Sequence, residues 1–126
     1  MWRLFIPACL LTLLCACGRP SLLEQARMLG DREYTPQAWA TASQIERGEM
    51  LASFLSKNGG KQLTATEVER MLGAPTGYAD YDEDPAYVLG PSTVQSEYTK
   101  GYLLVFITDK ETGRVVDIRL IPEVRK

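Results

Sequence analysis

The hydrophobic period of this chain changes once, at Pro75, and that change sets the fold class. Before it, apolar side chains recur at three- and four-residue intervals, as on one face of a helix; after it they run together or alternate, as in strands. Helices followed by a block of short strands point to an α+β domain, in which two N-terminal helices pack on one face of a three-stranded antiparallel sheet, an ααβββ order.

The first helix is expected to open at Thr35, a residue whose hydroxyl accepts from a free backbone N–H at a helix start. Pro36 follows where a missing N–H costs nothing, and Tyr34 and Trp39 are spaced for a hydrophobic staple. Trp39, Ala42, Ile45, Ala52 and Leu55 trace one stripe, which predicts a single helix running to about Leu55. Gly48 interrupts it and marks a kink or a close contact. The second helix is signed by Thr64-Ala65-Thr66-Glu67, a capping box, with Leu63 and Val68 as its staple. Gly73 stands where a left-handed backbone ends the helix, and Pro75 closes the segment.

Three strands follow. Ala86 to Leu89 ends at Gly90-Pro91; Tyr102 to Thr108 is an uninterrupted apolar run, the mark of a central strand; Arg114 to Ile121 alternates, with Val116, Ile118 and Leu120 on one face and Asp117 and Arg119 on the other. Asp109 to Gly113 is the hairpin loop between the last two. Pro91 to Lys100 is a longer polar excursion. The expectation is one sheet face shielded by helices and the other, with its loops, free to meet a partner.

All three cysteines, Cys9, Cys15 and Cys17, fall in the first seventeen residues, so no disulfide can staple the domain. A basic start at Arg3, an apolar stretch from Leu4 to Leu14 and a small-residue exit describe a secretory signal over residues 1–16. The stretch is shorter than the roughly 20 residues that span a membrane. Leu14-Cys15-Ala16-Cys17 resembles the lipobox of bacterial lipoproteins, which implies lipidation of Cys17 and cleavage before it. Gly18, where an Asp would imply inner-membrane retention, favours the periplasmic face of the outer membrane by the same resemblance. The alternative is an ordinary signal cut nearby, without an anchor. Residues 17–33 then read as a lipidated N-terminus and polar tether, within which Ser21 to Leu29 can form a short helix, and 34–126 as the domain.

Removing residues 1–16 also removes Arg3, leaving 13 basic and 16 acidic side chains, a net charge of −3. Such a balance gives no general attraction to nucleic acid, whose affinity rests on basic groups. Histidine is absent, so the commonest general base and metal ligand is missing. No strained nucleophile turn or glycine-rich phosphate loop is present either, and the chain reads as non-enzymatic, without cofactor or metal. Asp80, Asp82, Glu83 and Asp84 begin like a calcium loop, but Pro85 and Pro91 occupy the positions that need Gly and Glu, so a solvated acidic loop is expected. Glu46 and Arg47 are read as a surface or buried ion pair. Tyr78, Tyr81, Tyr87, Tyr98 and Tyr102 cluster in the strand half. Ordinary sheet packing accounts for them; the functional reading makes Tyr78, Tyr81, Tyr87 and Tyr98 a protein-contact surface, since Tyr is favoured at interfaces.

Trp39, Arg47-Gly48-Glu49-Met50, Thr64-x-x-Glu67-Val68-x-x-Met71-Leu72-Gly73-x-Pro75, Tyr87-x-Leu89-Gly90 and Gly113-Arg114-Val115-Val116 together resemble the small BamE-like (SmpA/OmlA) lipoproteins. The match runs from about Tyr34 to Ile121. It implies an outer-membrane-anchored accessory protein of the machinery that inserts β-barrel proteins. None of that family's partner- or lipid-binding residues can be matched individually here. A doubled version of the same layout occurs in the β-lactamase inhibitory protein, so enzyme inhibition or sensing is the alternative expectation.

Replacing Cys17 with Ala is expected to abolish incorporation of labelled palmitate and to move the protein from the membrane to the soluble fraction. Unchanged membrane attachment in a fractionation experiment would remove the lipid anchor from this reading.

Overall fold

The computed structural model describes residues 19–125; Cys17 and the leader expected at 1–16 lie outside them. Within them four helices precede a three-stranded antiparallel sheet: α1 (Leu22–Leu29), α2 (Pro36–Thr41), α3 (Gln44–Asn58), α4 (Ala65–Leu72), β1 (Ala86–Leu89), β2 (Tyr102–Thr108) and β3 (Val115–Ile121). The strands lie in the order β1-β2-β3, and the chain is α+β.

The single first helix expected over 35–55 is two helices. Ser43 accepts from the Glu46 amide while the Glu46 carboxylate accepts from the Ser43 amide, a second capping box that restarts the helix after Ala42 turns extended. The restart shifts the helical phase. Ile45, expected in the buried stripe, is therefore 55% exposed, and Met50, Leu51 and Phe54 take the inner face. Thr35 and Thr64 cap α2 and α4 as expected, and Gly73 ends α4 at φ +77°. The rings of Tyr34 and Trp39 meet edge-on with centroids 6.2 Å apart.

Helix α1 forms where a short helix was an option within the tether. It is packed, not loose. Ala26 is fully buried, Leu22, Leu23 and Leu29 lie against the core, and the buried Gln25 side chain accepts from the Val124 amide at 2.9 Å. The irregular character expected for residues 18–33 thus does not extend over this amphipathic stretch.

The core joins Trp39, Phe54, Val68 and Leu72 from the helices to Tyr87, Leu89, Leu104, Phe106 and Leu120 from the sheet. Aromatic rings run through it edge-to-face, Tyr34 on Phe54, Phe54 on Phe106, Phe106 on Tyr87 and Tyr87 on Trp39, with centroids 5.1–6.2 Å apart. Three of these side chains carry a polar atom, and all three spend it on the end of α4. Tyr34 Oη donates to Met71 O (2.6 Å), Trp39 Nε1 to Leu72 O (2.8 Å) and Tyr87 Oη to Gly73 O (2.8 Å). A helix end leaves its last carbonyls without intrahelical partners; here the core supplies the donors.

The second face of the sheet is not open over β1 and β2. Ala86, Leu103 and Val105 form a smaller buried cluster, covered by Ala79 and Tyr98 from the loops. The segment at Gly77 comes so close that an added Cβ would stand 2.5 Å from Leu103 Cδ1. The expected free face is therefore corrected: the continuous apolar run of β2 is buried on both sides. Alternation along β3 is corrected as well. The β2–β3 register shifts between Ile107 and Thr108, so that Thr108 pairs with Val115 and Ile107 with Asp117. This bulge turns Val116 outward, 65% exposed, while Val115, Ile118 and Leu120 face the core.

Of the two alternatives for Gly48, a kink or a close contact, the close contact is found. It lies against the turn after β1, where a Cβ would come within 2.9 Å of Gly90 N and 3.0 Å of Gly90 Cα. In an isolated helix Gly→Ala stabilises by about 1 kcal/mol. Here the neighbour is backbone, and overpacking of roughly 1–3 kcal/mol outweighs that gain. Gly48→Ala is expected to lower stability by about 1 kcal/mol or more in urea unfolding; a stabilised variant would mean that α3 does not press on Gly90.

Candidate functional site

The strand-half tyrosines divide by position. Tyr78 and Tyr81 lie on the loop between α4 and β1, each 56% exposed. Tyr98, half-buried in the excursion between β1 and β2, reaches the same loop: its hydroxyl lies 3.3 Å from Asp80 Oδ1, while Tyr78 Oη donates to Asp80 O at 3.2 Å. Asp80 thus joins Tyr78 and Tyr98 across two loops. The Tyr98 phenol is pushed above its ordinary pKa by loss of hydration and by the carboxylates of Asp80 and Glu97.

Tyr87 is corrected as a contact residue. It is fully buried, its ring stacks in the core and its hydroxyl is committed to Gly73 O. Burial raises its pKa strongly, the Glu69 charge adds to this and Arg47 opposes it. It faces inward with Leu89, two residues on, in the alternation of β1. Tyr102, at the edge of the same cluster, is buried too.

The acidic run is not uniformly solvated. Asp82 and Glu83 are exposed, but Asp84 is buried, its side chain 5% exposed. Asp84 Oδ1 accepts from Thr108 N at 2.9 Å, from Thr108 Oγ1 at 2.8 Å and from Lys110 Nζ. Lys110 Nζ also donates to Thr108 O and sits 4.6 Å from the centre of the Tyr81 ring. The result is a latch that ties the tyrosine-bearing loop to the end of β2. Burial alone would raise the Asp84 pKa; the hydrogen bonds from Lys110 and Thr108 outweigh it and hold the carboxyl below the usual carboxylate range. In the sequence Asp84 is indistinguishable by type from its acidic neighbours Asp80, Asp82 and Glu83. The only available hint was Pro85, which directs the chain into β1.

Glu46 and Arg47 do not pair with each other. Glu46 serves the Ser43 cap, with Arg32 at 4.0 Å, and Arg47 lies over the Trp39 ring at 4.9 Å while donating from Nε to Trp39 O. Clefts also open elsewhere among the described residues. One of about 600 Å³ lies between α1 and the C-terminal segment. It holds two carboxylates, but Glu24 serves the Ser21 cap and Glu123 pairs with Arg125 at 3.5 Å. A second, about 260 Å³, lies between the end of α3 and β3, and a third, about 500 Å³, between α1 and β3. Among the described residues no group of three or more His, Cys, Asp or Glu is placed to hold a metal ion, and no helix is long and apolar enough to cross a membrane. The lipidation position, Cys17, lies outside the described residues.

No family model, curated protein or solved structure matches the chain.

The latch carries a pH signature. A carboxyl with a depressed folded pKa stabilises the fold above its unfolded value, near 3.9, and that contribution fades as pH falls through the folded value. Asp84→Ala is expected to cost about 2 kcal/mol at neutral pH, because it strands the Thr108 amide and Lys110. It should also flatten the loss of stability below about pH 4. Urea midpoints measured from pH 2 to 7 test both; an Asp84→Ala curve parallel to the parent's would show that the latch does not titrate with folding.

Proposed function

We propose that this chain is a non-enzymatic, lipid-anchored protein of the bacterial envelope. It binds a protein partner through the loop pair that carries Tyr78, Tyr81 and Tyr98. The carrying observation is the exposure of Tyr78 and Tyr81 on a loop pinned by the buried Asp84 latch. Large aromatic side chains left in water on a fixed loop offer contact area at little entropic cost, because the loop is ordered before it binds. Asp80, Asp82 and Glu83 give this surface a negative character that suits a partner with basic groups.

In this reading the helices form one layer on the sheet, and the loops from the far side carry the contact. The anchor is supported by the Leu14-Cys15-Ala16-Cys17 sequence and would hold the domain on the periplasmic face of the outer membrane. The resemblance to BamE-like lipoproteins supports an accessory place in outer-membrane protein assembly or envelope integrity.

Tyr78→Ala with Tyr81→Ala is expected to reduce partner capture from solubilised envelopes at least tenfold while leaving the thermal midpoint within a few degrees, since neither ring is in the core. A photo-crosslinking residue at Tyr78 should trap barrel-assembly components. Trapping a single soluble enzyme would turn the reading to inhibition, and undiminished capture by the double variant would move the contact off this loop.

A further inference from the structure

We infer that β3 pairs antiparallel with β3 of a second copy of this chain, in the register that sets Ile118 opposite Ile118. The two edges of the sheet are treated differently. Along β1 the loop closes the edge: Thr76 N and Gly77 N both donate to Ala86 O, and Val88 N donates to Thr76 Oγ1. Along β3 only the first residue is tied, through Val115 N to Leu63 O and Gln62 Nε2 to Val115 O. Beyond it no described strand continues the ladder.

Which groups face outward follows from β2. Phe106 N donates to Pro85 O and Thr108 N to Asp84, both toward β1. The N–H groups of Val105 and Ile107 therefore point to β3, where their register partners are Arg119 and Asp117. Ile118 and Leu120 turn their backbone groups outward. The Ile118 N–H confirms this: it is taken by Asp117 Oδ1 at 2.9 Å, a side chain folded over the edge.

The charges then select one register. Asp117 and Arg119 lie two residues apart on the same face and pair at 2.8 Å, both well exposed. A symmetric antiparallel pairing centres on one residue of the strand, and centring it on Asp117 or Arg119 would set that charge opposite its own copy. Centred on Ile118, it sets each Asp117 opposite Arg119 of the other copy, so four charges alternate in a square. Centred on Leu120 it sets Asp117 opposite Glu123, and centred on Val116 it leaves both charges unmatched. A cleft of about 500 Å³ between α1 and β3 runs along Asp117 to Ile121. So short a ladder buries less than the roughly 1,200 Å² of a stable interface, and Asp117 must release the Ile118 amide, so the dimer is weak and concentration-dependent. The contact is isologous and closes at two.

Sedimentation of the full chain in excess detergent, over micromolar to millimolar concentration, tests this. The parent is expected to pass from monomer to dimer. Asp117→Arg and Arg119→Asp should each raise the dimer dissociation constant at least tenfold, with unchanged circular dichroism. An equimolar mixture of the two should dimerise like the parent, because each supplies the charges the other lacks, and so should the double reversal. A parent that stays monomeric, single variants that associate like the parent, a mixture that does not recover, or assembly beyond two copies would each overturn the pairing.

Discussion

Three hydrogen bonds at one helix end organise the domain. The carbonyls of Met71, Leu72 and Gly73 have no helical partners at the C-terminus of α4, and leaving the buried one, at Leu72, unpaired would cost about 1–3 kcal/mol. Tyr34, Trp39 and Tyr87 supply the donors, and these residues come from the lead into α2, from α2 itself and from β1. Satisfying the end of one short helix therefore fixes the relative placement of two helices and a strand. The edge-to-face contacts through Phe54 and Phe106 then extend this placement to α3 and β2. An eight-residue helix such as α4 is marginal by itself; it persists because its caps and its last carbonyls are met by the rest of the core.

The loop surface depends on the same economy of polar groups. Asp84 is buried at the foot of a loop whose tip is acidic, and it remains ionised because three donors converge on it. A loop fixed in this way can hold Tyr78 and Tyr81 in water without collapsing them onto the sheet. The second sheet face, meanwhile, is closed by Ala79 and Tyr98 from the two loops. Loop and excursion are thus both cover and display: one set of residues seals Leu103 and Val105 while another faces outward.

The edges of the sheet show how much a fold leaves to its side chains. At β1 the main chain closes the ladder, whereas at β3 the carboxylate of Asp117 occupies an outward amide and Arg119 balances its charge. Exposed strand edges invite pairing with other chains, and charged residues on an edge restrict which pairings are tolerated. The bulge that turns Val116 outward belongs to the same edge.

By itself the sequence determined the local grammar. Thr35 and Thr64 as caps, Gly73 as a helix end, the three strands and the Asp109–Gly113 loop were legible because each depends on residues within a few positions. Ser43 with Glu46 is equally local, but the longer apolar stripe from Trp39 to Leu55 masks it and predicts one continuous helix with Ile45 on its core face. Three features were decided only in three dimensions. Tyr87 became a core residue and Tyr78 a surface one through the position of Gly73 and the path of the loop. Asp84 separated from its acidic neighbours because Thr108 and Lys110, more than twenty residues away, meet it there. Val116 and Ile118 parted because a bulge shifted the register. Side-chain alternation fixes which residues share a face, but a bulge, a burial partner or a covering loop acts over distances that periodicity does not encode.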